Sequence, residues 1–324
     1  MREITLADAL NEALREEMLR DPDVILLGEE IGVFGGVYKV TRGLLEEFGP
    51  ERVRDTPISE TAIVGAALGA SLLGLRPVAE IMYMDFLAVA MDQVLNHVPK
   101  ARFMSGGQLS APLVIRTQYS LGRVHGSQHS QCFPSWFLQA PGLKVVLPST
   151  PYDGKGLLKA AIRDDDPVLF IESGALYRTK GEVPEEEYVL PLGRADVKRE
   201  GEDLTIVAMS RVVVEAMKAA DALEERGINA EVVDPRTIQP LDIDAIVDSV
   251  KKTSRLVVAE DGNRSGNIGA TIAAEVVERA FDYLDAPIVR VAPPDMPIPF
   301  SPELEQAYMP DADKVVSAAL GLFG

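Results

Sequence analysis

Glu60 is the only charged residue in TPISETAIVGAALGASLLG, residues 56–74. The segment carries Gly65, Ala66, Ala67, Gly69, Ala70 and Gly74, so another group is expected to pack close against its backbone. In so poorly solvated a place a carboxylate suits sharing a proton with a heterocyclic nitrogen. Taken alone, the residue reads first as a helix-start carboxylate: Ser59 is an N-cap candidate, and Glu60 in the first turn favours the helix dipole.

Three further stretches carry chemistry-capable side chains. RVHGSQHSQCFPSW, residues 123–136, holds His125, His129, the single cysteine Cys132 and the single tryptophan. It is a loop between strands, where α/β folds place ligand contacts, although it reads as an ordinary surface loop too. His125 and His129 lie four apart, but no nearby carboxylate completes a zinc set, and Cys132 reads as a small packed hydrophobe. Glu29 and Glu30 follow a buried strand in GEEIG, at the functional edge of an open sheet or in a solvated acidic turn. Met82 and Phe86, in IMYMDF, are either core or an apolar platform beneath a flat ring. His97 is expected on a helix surface or interface.

The elements that position these residues alternate. A helix is expected over 4–19, with strands at 24–28, 76–83, 111–117, 143–148 and 167–172 and helices at 61–73, 86–101 and 152–163. Short all-apolar strands such as VILLG are those of a buried parallel sheet. From 180 to 201 the chain turns charged and proline-containing and reads as a linker. A second series follows, with strands at 203–210, 228–235, 255–261 and 287–293 and helices at 211–226, 243–252 and 267–284. The fold class is α/β, with two doubly wound domains, residues 1–190 and 191–324.

The 324 residues and a 47% hydrophobic share allow two well-buried cores. A formal net charge of −18 argues against nucleic acid and anionic membranes as partners, and suits either a basic partner or none. One cysteine permits no intrachain disulfide. The N-terminus is amphipathic with five carboxylates, unlike a signal or transit peptide, and no apolar run reaches membrane-spanning length, so a cytoplasmic location is expected. The chain has no G-x-G-x-x-G after a strand, no P-loop, no G-x-S-x-G elbow and no H-E-x-x-H. A two-domain α/β chain without a phosphate-cradling loop points to a site shared with another chain.

GEEIGVFGGVYKVTRGL, RVRDTPISE, MDQVLN, KARFMSGG, QHSQCF, PGLKVVLPSTPYDGKGLLKAAIRDDDP and LDAPIVRV occur in this order along the chain. Together they resemble the β subunit of thiamine-diphosphate-dependent 2-oxo acid dehydrogenases, the decarboxylating components of the pyruvate, branched-chain and acetoin complexes. The resemblance implies a pyrimidine-binding domain followed by a transketolase C-terminal-like domain. It implies an α subunit that holds the diphosphate and magnesium, two α and two β chains per enzyme, and a lipoyl acyltransferase core as second partner. The reaction implied is oxidative decarboxylation of a 2-oxo acid with reductive acylation of lipoamide. EDGN, residues 260–263, lacks the strand-to-loop setting of the α subunit's diphosphate motif.

By the same resemblance Glu60 bonds the cofactor's pyrimidine and relays its proton, while Ile58, Met82 and Phe86 contact that ring. Glu29 belongs to the proton path, and His129 lies near the reacting carbon and assists acyl transfer. Leu113, Ala161, Ile162, Asp164 and Asp166 match a region whose carbonyls hold a structural potassium ion. QHSQCF is similar to pyruvate-type enzymes, whereas RVRDTPISE and DMPIPFSPELEQAYMP are similar to acetoin-type ones. Pyruvate or acetoin is therefore the expected substrate, with a branched-chain acid or a non-catalytic assembly role as the alternatives.

Overall fold

Apolar strands with helical crossovers build two separate parallel sheets in a computed structural model that describes residues 1–324. The first half runs β1 (Arg2–Thr5), α1 (Leu6–Arg20), β2 (Val24–Gly28), α2 (Leu44–Phe48), β3 (Val53–Asp55), α3 (Glu60–Leu72) and β4 (Arg76–Ile81). It continues with α4 (Ala101–Met104), β5 (Val114–Tyr119), β6 (Lys144–Val146), α5 (Pro151–Arg163), β7 (Val168–Ser173) and β8 (Lys180–Val183). The second half comprises β9 (Asp196–Arg199), β10 (Leu204–Ala208), α6 (Arg211–Glu224), β11 (Ala230–Asp234), β12 (Thr237–Gln239) and α7 (Ile243–Thr253). It ends with β13 (Leu256–Ala259), α8 (Ile268–Ala280), β14 (Val289–Val291), α9 (Pro302–Tyr308) and α10 (Ala312–Leu320).

The larger sheet has the order β12-β6-β7-β5-β4-β2-β3, and the smaller β14-β13-β10-β11-β9. All pairs are parallel except those of β12 and β9 at the edges. Every residue of β5, β7, β10 and β11 is buried, as strands covered on both faces require. Helix α1 starts where the Thr5 hydroxyl accepts the Asp8 amide at 3.1 Å, and buries Leu6, Leu10, Ala13, Leu14 and Met18 on one face. That face lies on α5, where a side chain at Gly154 would meet Leu6 Cδ1 at 2.5 Å. Lys155 and Lys159 are buried there by pairing with Glu12 and Glu16 of α1 at 2.6–3.0 Å.

Several expectations need correction. The 86–101 segment is not one helix: a 3-10 turn at Met84–Ala88 and a π turn at Gln93–His97 precede the short α4. Pro99 cannot continue a helix, and the Val89 carbonyl is taken by the Thr61 hydroxyl at 2.8 Å. The expected linker over 180–201 carries two strands, β8 against β1 and β9 against β11, so it is stitched into both halves. Thr237 and Gln239 of β12 pair with β6, so the second half supplies an edge strand of the first sheet. One apolar cluster runs from Leu27 and Ile81 through Leu147 to Val258 and Tyr308, joining the two sheets across a shared core. No helix is long and apolar enough to cross a membrane.

Candidate functional site

The carboxyl ends of β2, β4 and β5 form one sheet edge, and the first cluster lies at β2. Gly28 ends that strand because a Cβ there would stand 2.8 Å from the Glu80 carbonyl of β4, so only glycine allows the two strands this approach. Glu29 follows, 8% exposed, and Glu60, 7% exposed, starts α3 nearby. Ser59 occupies the N-cap position, but its side chain makes no capping bond. Burial pushes the Glu29 carboxyl up, and the charges of Glu60 and Glu80 add to this while the Ser59 amide opposes it. Neither Glu29 nor Glu60 has a cation partner in the chain.

The small residues of α3 do not all find a neighbour within this chain. Ile63, Val64, Ala67 and Ser71 are buried, but nothing lies within 4 Å of a Cβ built on Gly69, and Leu73 is exposed. The close packing expected against this helix is thus absent on its outer face. Ile58, just ahead of Glu60, is 82% exposed, an uncovered branched apolar side chain at the mouth of the site.

The second cluster lies at the end of β4 and in the loop after β5. Phe86 stands edge-on to His129 at 5.2 Å, and Tyr83 is edge-on to His129 at 5.0 Å and to His125 at 5.9 Å. Met82 is half-buried, its carbonyl accepting the Gln118 amide at 3.1 Å. Burial, and next the neighbouring Tyr38, push the Tyr83 hydroxyl far above its ordinary range. Burial pulls His125 down, with Arg123 and His129 adding to it. Asp85 accepts from the Gln131 side chain at 2.8 Å, and its other oxygen is buried without a partner. Burial drives that carboxyl up, against the pull of Gln131 and His129.

The structure therefore places Glu29 and Glu60 together, and Met82, Phe86 and His129 together, on one sheet edge. His97 is exposed and touches Asp92 at 3.2 Å, as expected of a surface residue. Cys132 is buried, and burial raises its thiol well above the ordinary range. No group of three or more His, Cys, Asp or Glu side chains converges to hold a metal.

The five carbonyl residues lie at the opposite end of the strands. Arg76 donates to the Ile162 carbonyl at 2.8 Å and the Asp164 carbonyl at 2.6 Å, the Leu113 carbonyl accepts the Val168 amide at 3.0 Å, and the Ala161 carbonyl accepts from Asp164 at 3.4 Å. The Asp166 amide donates to the Asp164 carboxylate at 2.9 Å. The Ile162 and Asp164 carbonyls thus already face a cation, the Arg76 guanidinium, while those of Leu113 and Ala161 face backbone amides; a carbonyl oxygen has two lone pairs.

Sequence reasoning missed the buried group that supports the first cluster. Arg116 of β5 bonds Glu80 of β4 and Glu172 of β7, and Tyr177 donates to Glu172 at 2.6 Å. The signal was present as single charges inside otherwise apolar strands, RPVAEI, VIRTQY and VLFIES. Such charges in central strands must be paired. Tyr83 and Asp85 were missed although they stand between the chosen Met82 and Phe86.

With this geometry in place, comparison with known proteins gives a consistent pattern. Residues 2–180 match the family model described as transketolase, pyrimidine binding domain, and 193–315 match transketolase, C-terminal domain. The acetoin:2,6-dichlorophenolindophenol oxidoreductase subunit beta of Bacillus subtilis is 49% identical, over 100% of this chain and 98% of that relative. The 2-oxoisovalerate dehydrogenase subunit beta of the same organism is 48% identical over 98% of each chain. The pyruvate dehydrogenase E1 component subunit beta of Rhizobium meliloti is 46% identical over 98% of this chain and 69% of its own length. Among solved structures, a split gene transketolase described as an inactive beta4 tetramer aligns with a TM-score of 0.82 and 25% identity, covering 98% of each chain.

Proposed function

The chain belongs to the β-subunit family of thiamine-diphosphate-dependent 2-oxo acid dehydrogenases, and from that premise we propose that it forms the pyrimidine side of an active site completed by an α subunit. One observation carries the proposal. Glu60 is a buried carboxylate at a helix start, with no cation partner in the chain and the carboxyl of Glu29 as neighbour. A buried acid left in that state fits a ligand that brings its own hydrogen-bonding nitrogen. Ile58 uncovered beside it, and Met82 and Phe86 half-buried on the same edge, fit a flat apolar ring.

Thiamine diphosphate, when bound, supplies the electron sink for decarboxylation. In the proposed assignment Glu60 orients the pyrimidine and exchanges a proton with it, and Glu29 holds a second proton nearby. Ile58, Met82 and Phe86 keep water from the ring. His129, braced by Tyr83 and Phe86, presents a titratable nitrogen to the acyl acceptor. Leu113, Ala161, Ile162, Asp164 and Asp166 would hold a potassium ion through the lone pairs that Arg76 and the backbone leave free. Magnesium and the diphosphate fall to the α subunit, and the lipoyl acyltransferase core is the second partner. The open outer face of α3 supports assembly with other chains, two α and two β. A cytoplasmic location, checked by cell fractionation, belongs to the same reading.

The relatives named for acetoin, 2-oxoisovalerate and pyruvate lie within a few per cent of one another in identity, so similarity does not rank substrates. The crowding of Tyr83, Phe86, His125 and His129 into one corner supports a short acyl chain, pyruvate or acetoin, over a branched one. Reconstitution with the α subunit and assay against all three decide this, with thiamine diphosphate titrated into the lone chain and the tetramer melted in potassium and in sodium. Turnover on pyruvate or acetoin, weak cofactor binding by the lone chain and a higher Tm in potassium are expected. Preference for 2-oxoisovalerate removes the substrate assignment, and tight binding by the lone chain removes the shared site. An equal Tm in the two salts removes the potassium assignment, and an inactive but assembled tetramer favours the non-catalytic alternative.

A further inference from the structure

The loop that carries both histidines is held by the other half of the chain. Its backbone is unusual at Val124, a β-branched residue at φ +60°, where such side chains are rarely found. Gly122 and Gly126 on either side also have positive φ, +87° and +74°. The Val124 amide donates to the Glu305 carboxylate of α9 at 2.9 Å, across 181 residues of sequence. Glu305 is 2% exposed, and its second oxygen is buried with no partner. No arginine or lysine pairs with it; its one hydrogen bond is to this strained turn. The same charge bears on His125, one residue further on.

Contacts around the bond run the same way. The Ser127 hydroxyl donates to the Ile298 carbonyl at 2.7 Å, and a Cβ at Gly126 would strike the Phe300 ring at 2.8 Å. One at Gly122 would stand 3.3 Å from the Met309 sulfur. The segment 298–309 thus lies along the loop from Gly122 to Ser127, and His129 leaves it two residues later to meet Tyr83 and Phe86. A carboxylate accepting a backbone amide in a buried contact is among the stronger hydrogen bonds available, enough to hold a disfavoured φ.

We propose that Glu305 is a positioning residue for the reaction: from the C-terminal half it clamps Val124 in its left-handed conformation and so sets His125 and His129 at the edge of the site. The clamp rests on the preceding functional reading for its catalytic consequence, but not for its geometry. Glu305→Ala removes the acceptor. Glu305→Gln keeps a neutral acceptor of the same reach. Adding Val124→Gly to Glu305→Ala removes the need for a clamp, because glycine takes positive φ freely.

Two measurements test it. Trypsin cleavage at the Arg123–Val124 bond, followed by mass spectrometry on the full-length chain, reports release of the loop. In the reconstituted tetramer, decarboxylation with an artificial oxidant is compared with acylation of a free lipoyl domain. In Glu305→Ala, cleavage at that bond is expected to rise about tenfold, and acyl transfer to fall more than decarboxylation. Glu305→Gln should lie between, and Val124→Gly should restore most of the transfer. Unchanged cleavage overturns the clamp. Cleavage throughout the chain without rescue by Val124→Gly also overturns it, since Glu305 would then support the fold alone. Local release with unchanged transfer overturns the positioning role. A parent tetramer that does not decarboxylate sinks the functional reading instead, and the trypsin result still decides the clamp.

Discussion

Two groups of buried carboxylates in this protein are built on opposite principles. At the junction of the halves, Asp153 and Asp234, both 0% exposed, meet two cations. Lys198 reaches Asp153 at 2.6 Å and Asp196 at 2.7 Å, and Arg236 reaches the same pair at 2.6 and 2.9 Å. Ser149 donates to Asp234 at 2.5 Å and Asp153 at 3.0 Å. Burial works against the ionised Asp153, but Lys198 and Arg236 outweigh it and hold the carboxyl low. Asp234 goes the other way, driven up by burial although Lys198 opposes this. At the site edge, Glu29 and Glu60 face each other with no cation between them.

The difference separates a group that holds the fold from one left incomplete. A buried ion network whose members are all bonded resists loss of any one of them. Buried carboxyls with no cation beside them repel one another when both are ionised, and persist where a ligand or partner completes them. The third glutamate there, Glu80, is instead paired with Arg116.

The largest effect is expected from Glu60→Gln. Decarboxylation by the reconstituted tetramer should fall by about 10²–10⁴-fold, the usual worth of a placed proton-transfer group, with assembly retained. Single-turnover rates and sedimentation read the two, and wild-type rates would leave Glu60 as a mere helix-start carboxylate. Next, Asp153→Ala leaves Lys198 and Arg236 buried without their main partner and should cost about 3–5 kcal/mol by denaturant unfolding. Turnover per folded molecule should not change. A loss under about 1 kcal/mol would mean that the network is ornamental.

The smallest effect is in pH dependence. Glu29 ionises at higher pH in the folded chain than in the unfolded one, so its contribution to stability is full below the ordinary carboxylate range and lost as pH rises through its raised value. Asp153 ionises at lower pH when folded, so its contribution is full above that range and lost as pH falls. Thermal melts across the acid range should therefore show the Tm-against-pH slope becoming more positive in Glu29→Gln and less positive in Asp153→Asn. The same sign in both variants would contradict the contrast.

Much of this was legible in the residues. The all-apolar run VILLG reads as a buried parallel strand, and it is one; the mostly apolar VLFIES and LTIVA are too. Glu60 could be singled out because one charge stood before a run of small residues. The same local view failed at 86–101, where apolar spacing suited a helix but Pro99 and the Thr61 hydroxyl broke its bonding. It failed again at 180–201, where a charged composition looked like a linker although two short strands pair there.

The sequence alone determined the alternation of strands and helices, the two-part α/β plan and the family, because those depend on periodicity and on ordered blocks read along the chain. Only the tertiary structure decided which charges are paired. Arg116 stands between Glu80 and Glu172, Asp153 meets Lys198 and Arg236, and Glu305 meets Val124. Glu29 and Glu60 are left without a cation. Pattern is a short-range property of the chain, whereas the electrostatics of a buried carboxyl depend on what distant segments bring within a few ångströms of it.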